Sequence, residues 1–116
     1  MRTDVPTCRP HDRLQELCKR LDASGCDTCF VVDNQNVVLG RLGRRAIRAR
    51  DDLSAEQAMT LGPSTIRPSA RLREVVERMQ RQELTSLPVT TSEGRLVGLV
   101  LRDDAERALD SIVKQT

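Results

Sequence analysis

GPSTIRPSARLREVVERMQRQELTSLPVTTSEGRLVGLVLRDD, residues 62–104, has an echo earlier in the same chain. Sliding residues 7–46 onto 65–104, an offset of 58, needs no gap. Ten of the 40 aligned positions are then identical: Thr7/Thr65, Arg9/Arg67, Pro10/Pro68, Arg13/Arg71, Leu14/Leu72, Glu16/Glu74, Arg20/Arg78, Val31/Val89, Gly40/Gly98 and Arg44/Arg102. Unrelated pairing at ordinary residue frequencies would give about two or three. Leu17/Val75, Leu21/Met79, Val38/Leu96 and Leu42/Val100 are chemically alike. A repeat of this length marks one supersecondary unit built twice, each copy covering the other's apolar face. Where the copies differ, the difference shows which of them kept a chemistry.

Both copies predict the same order of elements. An extended segment ends in Arg9-Pro10 or Arg67-Pro68, because the residue before proline prefers an extended backbone. A helix follows, with Asp12 or Ser69 as its expected cap. Leu14, Leu17, Cys18 and Leu21 form an i, i+3, i+4, i+7 stripe, repeated by Leu72, Val75, Val76 and Met79. Strands are expected at 29–32 and 37–42, and again at 87–90 and 95–101, joined by the turns Asn34-Gln35-Asn36 and Ser92-Glu93-Gly94. Each unit closes on a helix, over 44–50 and 103–113. Ser54–Met59 reads as a short linking helix, and Leu61-Gly62-Pro63-Ser64 as a turn.

At 116 residues, 31% of them charged, the chain has the size and polarity of one globular domain. No apolar run approaches the ~20 residues of a membrane helix, and the N-terminus lacks a signal-peptide core, so a cytoplasmic location is expected. One Phe, no Tyr and no Trp leave no aromatic platform for stacked bases, which argues against nucleic acid. Cys26-Asp27-Thr28-Cys29 invites a redox or metal reading, but Cys8, Cys18, Cys26 and Cys29 stand opposite Ile66, Val76, Leu84 and Leu87. Cysteine at aliphatic positions reads as core packing. A thiol-redox pair is the rival. No catalytic constellation, phosphate loop or metal cluster is present in the sequence, and the chain reads as a non-enzyme.

The β-α-β-β-α order, together with Thr65-Ile66-Arg67-Pro68, Leu87-Pro88-Val89 and Gly94-Arg95-Leu96-Val97-Gly98-Leu99-Val100, closely resembles the CBS domain, the regulatory module named after cystathionine β-synthase. Residues 3–46 resemble a second, more eroded copy. The implied fold is a mixed α/β (α+β) module of two β-α-β-β-α repeats related by a pseudo-twofold axis. The first repeat takes residues 1–50, without the family's usual opening helix; the second takes 51–116 with the linking helix. The resemblance implies a stand-alone regulatory pair that binds AMP, ADP, ATP or S-adenosylmethionine, forms a homodimer through its helices and signals to a protein partner.

The family's ligand motif is Gly, two apolar residues, Ser or Thr, two variable residues, then Asp. The second copy reads Gly98-Leu99-Val100-Leu101-Arg102-Asp103-Asp104. Asp104 takes the position that holds ribose hydroxyls, and a carboxylate there also suits a helix N-terminus. Leu101 replaces the hydroxyl residue that would serve a phosphate. Asp103 repels phosphate, and Arg102 offsets it if it turns inward. The family pattern adds Thr85 and Ser86 to the site wall and, through the pseudo-twofold relation, residues Thr3–Val5, with Val5 nearest the strand. The first copy reads Gly40-Arg41-Leu42-Gly43-Arg44-Arg45-Ala46; Ala46 offers a ribose nothing, so one ligand per chain is expected. The local reading of Asp104 is a helix cap alone. Arg41, Arg44, Arg45 and Arg48 have helical spacing and continue to Arg50. They read as a solvated face paired with acids such as Asp51 and Asp52, the rival being a phosphate-binding stripe. A ligand-free interaction module is the alternative to the sensor.

Overall fold

The offset of 58 reappears in the backbone of the computed structural model, which describes residues 3, 5–24, 28–49 and 53–114. The chain divides into two compact units, one of Val5–Pro63 and the other of Ser64–Thr116 together with Met1–Asp4. The first runs β1 (Thr7–Cys8), α1 (Leu14–Ser24), β2 (Thr28–Val32), β3 (Val38–Gly43), α2 (Arg44–Ala49), α3 (Ala55–Ala58) and β4 (Thr60–Leu61). Its sheet has the order β1-β2-β3-β4, with β1 parallel to β2 and the other neighbours antiparallel. The second runs α4 (Leu72–Arg81), β5 (Ser86–Thr90), β6 (Leu96–Leu101) and α5 (Arg102–Lys114), with β5 and β6 paired as a hairpin.

Matching positions do matching things. Cys8 lies opposite Val31 in parallel pairing, and Ile66 lies opposite Val89 in the same way. The hairpin register shifts between Val31 and Val32 and again between Val89 and Thr90. Both turns pass through the left-handed region, at Asn36 (φ 67°) and Gly94 (φ 86°), conformations that Asn and Gly tolerate best. Side chains pin both turns. Asp33 Oδ1 accepts the Val37 amide at 3.0 Å, and Thr91 Oγ1 accepts the Arg95 amide at 3.2 Å.

The predicted stripes face the cores. Leu14, Leu17 and Leu21 are buried in one cluster with Cys8, Cys29, Val31, Leu42 and Ile47, and Cys18 packs against it half-buried. Val75 and Met79 join Ile66, Leu87 and Val89 in the other. Burying such side chains stabilises by about 1.5–3 kcal/mol each.

Four local expectations change. Asp12 and Ser69 do not cap their helices: α1 and α4 begin later, at Leu14 and Leu72, and the residue ahead of α4, Arg71, makes no side-chain cap. Leu61 belongs to a strand rather than a turn, because β3 still has an open hydrogen-bonding edge, and Thr60 and Leu61 pair with it opposite Arg41 and Gly40. Arg41 lies in β3, so the arginines do not share one helical face. The linking helix is present as α3, closed by a capping box in which Ser54 and Gln57 exchange hydrogen bonds. It packs into the core of the first unit through Ala55 and Ala58. Cys26, Arg50, Asp51 and Asp52 lie outside the described residues.

Candidate functional site

The second unit brings Thr85, Ser86, Leu101, Arg102 and Asp104 to one end of its hairpin. Ser86 opens β5 and stands opposite Leu101, which ends β6. The Arg102 amide, first in α5, donates to the Thr85 carbonyl at 2.9 Å and ties the helix start to the strand opening. Ser86 is buried and Leu101 half-buried, so this end is polar at Thr85 and apolar at Leu101. Val5 precedes β1 in the first unit, half-buried, beside Pro6, whose carbonyl accepts the Phe30 amide.

Asp104 is the third residue of α5, one turn inside the position of a cap. Its carboxylate still lies in the first turn, where the helix dipole favours negative charge. Arg107, three residues on, donates from Nη2 to Asp104 Oδ1 at 2.7 Å and from Nε to the Asp103 carbonyl at 3.3 Å. The pair is exposed, at 77% and 40% of its side-chain surface, and such pairs contribute about 0–1 kcal/mol. Sequence reasoning passed over Arg107, although its i+3 spacing from an acid was the available signal.

Arg102 does not offset Asp103. Its Nε donates to Glu106 Oε1 at 2.7 Å, and Gln80 Nε2 of α4 reaches the same oxygen at 3.3 Å. The Arg102 hydrogen bond, then that of Gln80, holds the Glu106 carboxyl below its ordinary range. Gln80 of α4 thus joins the two helices through Glu106, which Arg102 braces from within α5. An open crevice of about 390 Å³ on α5 is lined by Asp103, Glu106, Arg107 and Asp110. Three carboxylates against one arginine make it a poor host for a triphosphate.

At the corresponding end of the first unit, Gly43 ends β3 and Ala46 sits half-buried in α2. The arginines there are engaged locally. Arg48 Nη2 lies 3.1 Å and Arg44 Nη2 4.0 Å from Asp22 Oδ1 of α1, and the Arg41 guanidinium sits 5.5 Å from the Phe30 ring centroid. The partner acid is Asp22, which the sequence reading did not name. Cys29 packs in the core beside Cys8. Among the described residues, no His, Cys, Asp or Glu cluster is shaped to hold a metal ion, and no helix is long and apolar enough to cross a membrane.

Residues 1–53 and 55–111 each match the family model of the CBS domain. Inosine-5'-monophosphate dehydrogenase of Mycobacterium tuberculosis is 33% identical over 110 residues, which is 90% of this chain. The chain spans 20% of that dehydrogenase and 24% of an uncharacterized Bacillus subtilis protein, YtoI, but 68% of an uncharacterized 17.7 kDa protein of Acidianus ambivalens, to which it is 28% identical. Among solved structures, the chain superposes on CBSX2 in complex with AMP with a TM-score of 0.87 at 20% identity, over 96% of this chain and 91% of that one. The CBS pair of MJ0100, in complex with 5-methylthioadenosine and S-adenosyl-L-methionine, gives 0.81 at 21% identity over 92% and 89%. The cytosolic domain of the Mg2+ channel MgtE, in complex with ATP, gives 0.85 at 24% identity over 91% and 45%. These likenesses establish the fold, and the two family matches, which leave only a few residues of the chain uncovered, establish that it belongs to the CBS-domain family.

Proposed function

We propose that the protein is a regulatory sensor that binds one adenosine derivative per chain at the Asp104 end of its second repeat and passes the change to a protein partner. The observation that carries this reading is the difference between the repeats: α5 presents the Asp104 carboxylate in its first turn beside the β5–β6 end, whereas α2 presents Ala46. A carboxylate can accept hydrogen bonds from both hydroxyls of a ribose. AMP, ATP and S-adenosylmethionine occur in the matching structures and are the candidate ligands. Leu101 has no hydroxyl for a phosphate, and Asp103, Glu106 and Asp110 repel one. The order expected here is S-adenosylmethionine, whose sulfonium and ammonium groups suit these acids, then AMP, then ATP. Coupling requires the partner to favour one conformational state over the other.

The fit of the chain to a fraction of each dehydrogenase carries no catalysis with it, and the chain acts here as a non-enzymatic module of cytoplasmic type. The second reading is a ligand-free interaction module. It is favoured by the engagement of Arg102 with Glu106 and of Asp104 with Arg107 inside the protein itself.

A thermal-shift and calorimetric titration separates the two. At about 100 times its dissociation constant, a ligand adds ~2.7 kcal/mol of stability, roughly ten degrees in midpoint for a domain of this size. Asp104→Ala is expected to abolish that rise while costing the free protein less than about 1 kcal/mol, the worth of an exposed first-turn acid. Two equivalent sites per chain, or a rise unaffected by Asp104→Ala, would remove the assignment. No response to any of the three ligands would leave the interaction module standing.

A further inference from the structure

The first repeat fills a place that the second leaves open. In the first, Arg20 of α1 donates from Nη2 to Asp12 Oδ2 at 3.0 Å, and the Arg9 amide donates to the same oxygen at 2.9 Å. Partial burial works against the Asp12 charge, but the Arg9 amide and Arg20 outweigh it and hold the carboxyl below its ordinary 3.8. Backbone then closes over the place: the amides of Ala55 and Glu56 donate to the carbonyls of Asp12 and Pro10, each at 2.8 Å.

In the second repeat Arg67 and Arg78 stand where Arg9 and Arg20 stand in the first, but the position of Asp12 is Ala70. The cation is kept and its carboxylate is gone. Arg78 turns one N–H to the Thr65 carbonyl at 2.8 Å. Arg67 donates to the Thr91 carbonyl and, at 3.3 Å, to Thr90 Oγ1. Each guanidinium has five N–H donors, so neither is used up by these bonds. Between them lies an open pocket of about 450 Å³, lined also by Arg71, Ser69 and Glu74. Three guanidiniums against one carboxylate give it one more net positive charge than the equivalent set in the first repeat, where Asp12 adds an acid.

We propose that this pocket is a phosphate-binding site, in which the second repeat takes from solution the oxyanion that the first supplies from its own Asp12. A dianionic phosphate matches the net charge, and guanidinium forks with a serine hydroxyl match its oxygens. The pocket is open and Arg71 and Arg67 are exposed, so binding weakens as salt rises. The site is distinct from Asp104 and from the adenosine reading.

The test uses the full chain with inorganic phosphate and pyrophosphate, against chloride at matched ionic strength and citrate as a carboxylate probe. The expected result is a phosphate-dependent rise in midpoint and shifts in the Ser69–Arg71 amide resonances. Ala70→Asp restores the internal carboxylate; it should raise the midpoint without phosphate and weaken phosphate binding at least tenfold. Arg78→Met, which keeps the aliphatic stem, and Arg71→Ala, which alters an exposed side chain, should each weaken binding severalfold, while Asp104→Ala leaves it unchanged. Phosphate responses no larger than those of chloride, a citrate response without a phosphate response, or unchanged binding in Arg71→Ala and Ala70→Asp would each overturn the proposal.

Discussion

Cys29 and Cys8 meet inside the first core, on the neighbouring strands β2 and β1. The hydrogen bond that its thiol donates to Cys29, then burial, pushes Cys8 far up, so it stays protonated; accepting the same hydrogen bond draws Cys29 down against burial. Both positions carry aliphatics in the second repeat, which is why packing was readable before any coordinates were. Cys29→Ser should destabilise by about 1–3 kcal/mol, because a buried hydroxyl replaces a small hydrophobe without an assured partner; urea denaturation measures it. Thiol reagents should label native Cys8 and Cys29 slowly, and rapid labelling at neutral pH would contradict the packing role. The placement of Asp104 in the first turn of α5 was legible for a different reason: its place in a motif marks it. Gln80 was not, because its role arises from which helix faces which, and no spacing within one segment encodes a contact across two; Arg107 and Glu106 had only the weaker signal of an i+3 or i+4 partner within α5.

At the scale of elements, the helices and hairpins were legible because apolar periodicity and turn chemistry agree in both copies. What stayed hidden was set by packing. Helix α1 starts at Leu14, which is buried in the core, and α4 at the half-buried Leu72, not where a capping residue is offered. Strand β4 is two exposed residues with no alternation to read, present because β3 offers an edge. That edge depends on a glycine. A Cβ on Gly40 would stand 2.9 Å from Met59 Cβ and 2.7 Å from its Cγ, too close for the backbone that follows α3 to keep its course. Gly40→Ala should therefore cost about 1–3 kcal/mol, the usual range for overpacking. Thermal denaturation checks it, and Gly40→Ala with Met59→Ala should recover part of the loss.

For the whole molecule, we expect a homodimer built on helix faces. Ala108 and Ile112, four residues apart on α5, are both exposed, Ile112 at 53%. Small residues let helices approach closely, and a self-complementary face closes most simply into a twofold dimer. Light scattering should give about twice the 13.0 kDa chain mass, falling toward the monomer in Ile112→Glu; a 13.0 kDa particle at tens of micromolar would sink the expectation. Sequence order alone could not tell that the linking segment packs with what precedes it. A helix leading into the second copy looks like part of it, yet Ala55 is buried in the first core. The two clusters of buried side chains, one in each unit, have a consequence for motion. Amide hydrogens should exchange with deuterium in two cooperative blocks rather than one. Judged on the described residues, protection should persist longest in β2 and β3, which are paired on both sides, and fade earlier in β5 and β6, which pair there with each other and with Ile66. On that footing the half that carries Asp104 is the one that breathes more often, and a molecule bound there would be felt first as a slowing of that breath.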